Sequence, residues 1–363
     1  MGVIHVSKKL KVNSFKGSYE VEIINPKEEH KVRDMIFKEL SQSSFLIIDQ
    51  NLINLFPFIS QFWSKKNIYP VRASENSKTL RQSEKLIKKL IEKGFKKNMK
   101  LIALGGGVIQ DLTSFVASLI YRGVDWIFVP TTLLSQADSC IGSKTSINFQ
   151  NTKNLLGTFN PPKKIFSFLS FLETLDPSEI KSGIGEILHY YIVDNSDLMK
   201  EIRDNFDDLL INRTLLEKYI QESLAIKKNM VEKDEFDKGP RAIFNYGHTF
   251  GHALEVISGF EVSHGQAVTR GMDLANYIAL KFGLITIDSF REYRSVLEKN
   301  FPVYKFSTKE IKNFISLLRK DKKALTGEII CILPTLNKEM TIFSISDLNR
   351  LEKIIYEYLK NFW

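Results

Sequence analysis

Cysteine is almost missing from this chain of 363 residues: there are two, Cys140 and Cys331, far apart and without metal-binding spacing. That excludes a disulfide framework and a thiolate metal site, and it fits a reducing cytoplasm. No apolar run reaches the roughly 18 residues that a membrane-spanning helix needs, and the first residues hold no signal-peptide core. Internal repeats and low-complexity tracts are absent, which excludes solenoids and biased linkers. The charge is uneven, with 51 Lys and Arg against 42 Asp and Glu, a formal +9. Much of the excess is lysine, as in Lys85, Lys88, Lys89, Lys93, Lys96, Lys97 and Lys100. Neither interleaved aromatics nor a nucleic-acid reading motif accompanies them, so they read as a solvated helix face. Neither nucleic acid nor a membrane is expected as a partner; an anionic small substrate is compatible with the charge.

The residues that remain are those of an ordinary soluble globular protein, 43% hydrophobic and 26% charged, and long enough for two domains. The first half alternates strand and helix. Phe45 to Asp49 is a short apolar strand ending at a polar turn, Gln50-Asn51, and residues 69–72 suggest another. Residues 84–93 carry an apolar helical stripe that Gly94 would close. Residues 99–104 form a strand running straight into Gly105-Gly106-Gly107. Leu112, Phe115, Val116, Leu119 and Ile120 then follow helical periodicity, and Trp126 to Pro130 is the next strand. Strand, glycine loop, helix and strand make a βαβ unit on a parallel sheet. From Asp176 onward the pattern turns helical, with spans at 178–193, 214–232, 242–257 and 266–282; Pro177 suits the first position of a helix capped by Asp176. One strand, 328–334, stands near the C-terminus. The expected architecture is an α/β Rossmann-like nucleotide-binding domain over 1–175 and a mainly α-helical domain over 176–363, with a cleft between them.

Two groups of residues carry chemistry. The triple glycine lets a ligand approach the backbone, and the helix after it offers free N–H groups to a phosphate. Asp111 would take a hydrogen bond from a cofactor or serve as first-turn charge against the helix dipole, and both readings stay open. Thr131 and Thr132 end the following strand, at the sheet edge where such folds bind ligands. Four of the six histidines, His189, His248, His252 and His264, share one stretch with Glu186. His248 and His252, four apart, would stack on one helix face. Glu186, His248 and His264 would supply three N/O ligands with a fourth position open, the pattern of a catalytic zinc site. Lys144, Lys153 and Asn154 lie in loop-like sequence and would suit a phosphate, although such residues are by default solvated.

Taken in order, Asp49 to Asn51, Gly105 to Leu112, Arg122-Gly123, Pro130 to Leu134, Asp138 to Asn154, Glu186, Arg241 to His252, His264-Gly265 and Asp321-Lys322-Lys323 resemble the sugar phosphate cyclase superfamily and, within it, the 3-dehydroquinate synthase family. The resemblance covers most of the chain. It implies an NAD-binding α/β domain joined to a helical metal domain, commonly as a homodimer. It implies that Asp49, Asn51, Glu75, Lys78, Gly106, Gly107, Asp111, Thr131 and Thr132 line NAD, and that Glu186, His248 and His264 hold zinc, or cobalt in its place. Arg122 (from the partner subunit in one version), Lys144, Lys153, Asn154, His252 and one of Lys322 and Lys323 would surround the substrate phosphate. Asp138, Lys227, Arg241 and Asn245 would contact the rest of the substrate, with the Arg241 fork suited to a carboxylate. The implied reaction converts 3-deoxy-arabino-heptulosonate 7-phosphate to 3-dehydroquinate and phosphate, by transient oxidation, elimination, reduction and aldol closure.

Three positions depart from the family pattern. Gln110 stands for a glycine before Asp111, Ser143 for a glycine before Lys144, and His189 for a lysine three residues after Glu186. Because that lysine faces substrate in the family, His189 keeps three readings in view: a tolerated variant that still makes dehydroquinate, a cyclase for another sugar phosphate (of the 2-epi-5-epi-valiolone or 2-deoxy-scyllo-inosose type), and a noncatalytic descendant. A metal-dependent polyol dehydrogenase shares the two-domain plan, but Lys144, Lys153 and Asn154 argue for a phosphorylated substrate. A fourth metal ligand at His189 is less favoured, since residues 186 and 189 share a helix face in any case.

Overall fold

The structure is a computed structural model that describes residues 7–24, 26–150, 152–320 and 328–363. The chain forms two compact units. One takes in the described residues up to Leu175 together with Lys227–Phe236; the other holds Asp176–Ile226 and the described part of Asp237–Trp363.

The first unit is built on nine strands: β1 (Ser7–Ser14), β2 (Gly17–Ile24), β3 (Ser44–Asp49), β4 (Ile68–Val71), β5 (Lys100–Gly105), β6 (Trp126–Pro130), β7 (Lys144–Phe149), β8 (Thr152–Phe159) and β9 (Lys164–Ser167). Seven of them make one sheet in the order β1-β2-β9-β6-β5-β3-β4. Only β1 runs antiparallel to its neighbour. Strands β3, β5 and β6 are buried along nearly their whole length. That is why they read as unbroken apolar runs rather than as alternation: both faces are covered. On one face Leu46, Ile48, Ile102, Leu104 and Val129 join Phe37, Trp63, Phe168 and Phe171 in a single core.

The order of the strands decides where a ligand can sit. From β3 the chain moves outward to β4 and then returns to the other side of β3 as β5. The carboxyl ends of β3 and β5 therefore splay apart at a topological switch point, the place where open α/β sheets bind ligands. Asp49 ends β3 and Gly105 ends β5. Gln50-Asn51 is not a turn but the start of a short helix, Gln50–Leu55, and the Asp49 side chain caps it by accepting from the Asn51 N–H. The glycine loop opens the helix Gly107–Leu119 as its sequence suggests. The segment from Lys144 to Asn154 is not a loop: β7 and β8 pair as an antiparallel hairpin.

In the second unit the helix Pro177–Val193 begins at proline, although the Asp176 side chain makes no capping bond. The expected helix over 242–257 is two pieces, a 3-10 turn Pro240–Asn245 and a helix His248–Ile257. Gly247 separates them with φ +76°, a left-handed conformation that ends one helical path and starts another. The last long helix of this set, His264–Lys281, begins at the histidine itself. Near the C-terminus β10 (Ile329–Pro334) pairs with a second strand, β11 (Met340–Ile345), that periodicity had not marked. No helix among the described residues is long and apolar enough to cross a membrane.

The helices Pro177–Val193 and His264–Lys281 touch backbone to backbone. A Cβ on Gly185 would lie 2.1 Å from the Gly265 carbonyl oxygen, and one on Gly265 would lie 1.8 Å from that of Ser182. Gly265→Ala should therefore force the helices apart and cost about 1–3 kcal/mol, the usual scale of overpacking, read as a lowered urea midpoint.

Candidate active site

In the first unit Glu75, Lys78 and Asp111, expected at the cofactor, and Asn154, expected at the phosphate, form one polar network. Lys78, with only 7% of its side chain exposed, lies 2.8 Å from Asp111 and 3.6 Å from Glu75. Its Nζ donates to Asn154 Oδ1 at 2.8 Å. Asp111 also accepts from the Ser146 N–H and hydroxyl, while Asn148 donates to Glu75 and accepts from the Asn154 N–H. Burial lifts the Asp111 carboxyl above the ordinary carboxylate range, and the Lys78 ammonium works against that rise. Burial likewise raises Asp49, offset in part by the Asn51 N–H. The β7–β8 hairpin is thus hung on the residues that flank the glycine loop, and Asn154 takes a left-handed φ of 51° to reach them. Ser146 and Asn148 were missed in the sequence, because polar residues in a strand carry no signal until the strand's partner is known.

Around this network, Thr131 is buried and Thr132 half-buried at the end of β6, and Thr132 exchanges hydrogen bonds with Ser135. Asp138 sits in a π-turn over Ser135–Ser139 and pairs with buried Lys227 at 2.6 Å. Gln110, one of the departures, is explained by the fold. Its amide donates to the Ser139 carbonyl and accepts from the Ser139 hydroxyl, both at 2.6 Å, which ties the glycine-loop helix to the turn bearing Asp138. Ser143 is buried, with its carbonyl accepting from the Asn160 N–H. Lys144 and Lys153 are exposed on the hairpin. Arg122 is exposed in a turn where Tyr121, Arg122 and Gly123 all have positive φ.

The second unit gathers the histidines. Glu186, His248 and His264 each bring a ligand atom to one place, all within 4.8 Å of one another. Glu186 Oε1 lies 3.2 Å from His264 Nε2 and 3.6 Å from His248 Nε2. It is buried, and the two imidazole Nε2 atoms are the groups that face it. Three lone-pair atoms facing one point need a cation between them. With zinc-ligand bonds near 2.1 Å, tetrahedral ligand atoms stand roughly 3.4 Å apart, and the observed separations bracket that value, so the donor set fits a divalent metal. The His248 Nδ1 is engaged by the Tyr246 carbonyl at 3.1 Å, which leaves Nε2 for the metal. Burial opposes the Glu186 charge, but His248, His264 and His189 outweigh it and hold the carboxyl well below its usual range.

His189 lies outside the ligand group. It is 1% exposed, its Nδ1 is 3.9 Å from Glu186 Oε2, and its ring stacks on Tyr246 and meets Tyr190, Phe244 and His248 edge-on. His252 is exposed and stacks against His264 at 5.8 Å. Arg241 and Asn245 are half-buried on the 3-10 turn. Glu255 was missed: its carboxylate meets His264 Nδ1 at 3.2 Å. Its place three residues after His252 and seven after His248 was the available signal, since that spacing puts it on their helix face. Lys322 and Lys323 lie outside the described residues.

The fold has known counterparts. A 2-deoxy-scyllo-inosose synthase solved with carbaglucose-6-phosphate, NAD+ and Co2+ superposes with a TM-score of 0.84 at 21% identity, over 96% of this chain and 99% of that one. A 2-epi-5-epi-valiolone synthase from Streptomyces hygroscopicus, solved with NAD+ and Zn2+, superposes at 0.79 with 21% identity, over 94% and 97%. The fold is therefore that of the sugar phosphate cyclases. Residues 68–182 match the family described as 3-dehydroquinate synthase N-terminal, and residues 183–324 its C-terminal counterpart. The 3-dehydroquinate synthase of Dictyoglomus turgidum is 38% identical over 305 residues, 80% of this chain and 82% of that protein. The chain belongs to the 3-dehydroquinate synthase family.

In the metal-free protein His264 should be cationic. Burial works against that charge, but hydrogen bonds and negative charge from Glu186 and Glu255 overcome it and push the pKa up to about 10. The resulting stabilisation is full below the ordinary histidine pKa and is lost as pH rises through about 10. Metal must displace that proton. Calorimetric titration with Zn2+ at pH 7.5, in buffers of different ionisation enthalpy, should show about one proton released per ion bound; no buffer dependence would contradict this charge state.

Proposed function

We propose that the protein is a 3-dehydroquinate synthase acting on 3-deoxy-arabino-heptulosonate 7-phosphate with NAD and a divalent metal, zinc or cobalt. The observation that carries this reading is the Glu186–His248–His264 group in a chain of this family. NAD+, when bound, accepts and returns a hydride, and the metal, when bound, polarises the alcohol and ketone oxygens of the substrate. The chain's own residues bind and orient. Asp49, Asn51, Glu75, Lys78, Gly106, Gly107, Asp111, Thr131 and Thr132 hold the cofactor, with the Asp111–Lys78 pair fixing the loop beneath it. Lys144, Lys153, Asn154, Arg122 and His252 meet the phosphate and stabilise it as it leaves. Arg241 takes the carboxylate in its fork, while Asp138, Lys227 and Asn245 position the hydroxyls. The family resemblance supports a homodimer, and two buried free thiols support a reducing cytoplasm.

His189 favours one second reading, a related cyclase for a different sugar phosphate. A buried imidazole ringed by Tyr190, Phe244 and Tyr246 cannot reach where a lysine ammonium could. Incubation with NAD+ and Zn2+ separates the two. Phosphate release and dehydroquinate from the heptulosonate phosphate, with no net NADH, support the first. Turnover of a hexose 6-phosphate alone supports the second, and accumulating NADH would mark a dehydrogenase. In the first case Arg241→Ala should lower kcat/KM by about 10–100-fold, the scale of a lost hydrogen bond to a charged group. Arg241→Lys should recover only part, because an ammonium lacks the fork.

A further inference from the structure

We propose that Glu255 is a positioning residue of the metal centre, holding the His264 imidazole by Nδ1 so that Nε2 points at the metal. The proposal rests on the reading of Glu186, His248 and His264 as metal ligands. His264 is the first residue of its helix, 34% of its side chain is exposed, and its ring packs beside the rings of His248 and His252, contacts that do not distinguish Nδ1 from Nε2. The Glu255 carboxylate, 10% exposed, meets its Nδ1 at 3.2 Å, and on the opposite side of the ring Nε2 stands 3.2 Å from Glu186 Oε1. A ring rotated about its Cβ–Cγ bond would lose both contacts.

The same device serves His248 with a different partner. There the far nitrogen is taken by the Tyr246 backbone carbonyl, so both imidazoles present Nε2. Either acceptor orients the ring and raises its basicity, and a carboxylate, being charged, does so more strongly than a carbonyl. Glu255 thus sets the two histidines apart, with His264 the stronger donor. The helix His248–Ile257 supplies one ligand and, two turns later, the residue that orients the other.

His252, Glu255 and His264 could themselves take an ion, since their ligand atoms also fall within 4.8 Å of one another. Yet His264 Nδ1 cannot both hold Glu255 by a hydrogen bond and bind a metal, so the two roles exclude each other. Stoichiometry decides between them.

The test compares wild type with Glu255→Gln, Glu255→Asp and Glu255→Ala, stripped of metal and titrated with Zn2+ and Co2+ against a competing chelator. The isosteric Glu255→Gln keeps side-chain volume, and its far-UV circular dichroism in EDTA should match wild type. We expect one ion per chain in wild type, affinity about 10–100-fold weaker in the Gln and Ala variants, partial recovery in Asp, and a shifted Co2+ visible spectrum in Gln. Affinities within about twofold of wild type in both Gln and Ala variants, against this expected loss, would overturn the role of Glu255 and leave the metal centre standing. Two ions in wild type with one lost in Glu255→Gln would make Glu255 a ligand and overturn the proposal too. A wild-type chain that binds neither ion would instead overturn the metal-centre reading.

Discussion

The second unit depends on one constraint: two helices that cross with no side chain between them. At Gly185 and Gly265 there is no room for a methyl group, because each Cα faces the backbone of the other helix. Glu186 follows the first glycine and His264 precedes the second, so the close approach itself makes these two side chains neighbours. His248 is brought to them by the same means, with Gly251, one turn further along its helix, set against the backbone of Ala267 and Val268. Ligands placed by backbone contact between helices are held more exactingly than ligands on loops, and a charged group that must sit within half an ångström or so of its productive position needs such support.

The first unit prepares its site by charge rather than by close packing. Burying Asp111 raises its carboxyl, and Lys78 compensates at 2.8 Å. Because the lysine also donates to Asn154, the pair links a residue of the glycine-loop helix to the far strand of the β7–β8 hairpin. A buried pair of this kind is costly to break, since either member alone would be an uncompensated charge. Glu75, Lys78, Asp111 and Asn154 therefore belong to one network within this unit.

The three departures from the family pattern have unequal meanings. Gln110 compensates within the structure, since its two bonds to Ser139 lock the turn that carries Asp138. Ser143 is accommodated in a buried position. His189 is different: it gives up a long cationic arm for a ring wedged among aromatics beside Glu186. The change puts a buried ring where the family pattern has a lysine, and Arg241 is kept.

Local order was legible in the sequence wherever one element carried its own signal. The apolar runs of β3, β5 and β6, the glycine loop and the helical stripes all follow from backbone sterics and hydrophobic period, which act between near neighbours. The identities of Glu186, His248 and His264 as a potential metal set could be read from residue type and spacing. Gly247 escaped notice, because a residue that tolerates both signs of φ does not announce which it will take. So did the β7–β8 hairpin, set by strand pairing from Phe149 with Thr152 out to Lys144 with Phe159, and Glu255, set by its contact with His264 on the next helix. Residue chemistry determined what this protein could bind. Only the tertiary structure decided which atoms face one another, because that depends on how closely helices and strands can approach, and a backbone contact between two glycines leaves no trace in composition or period.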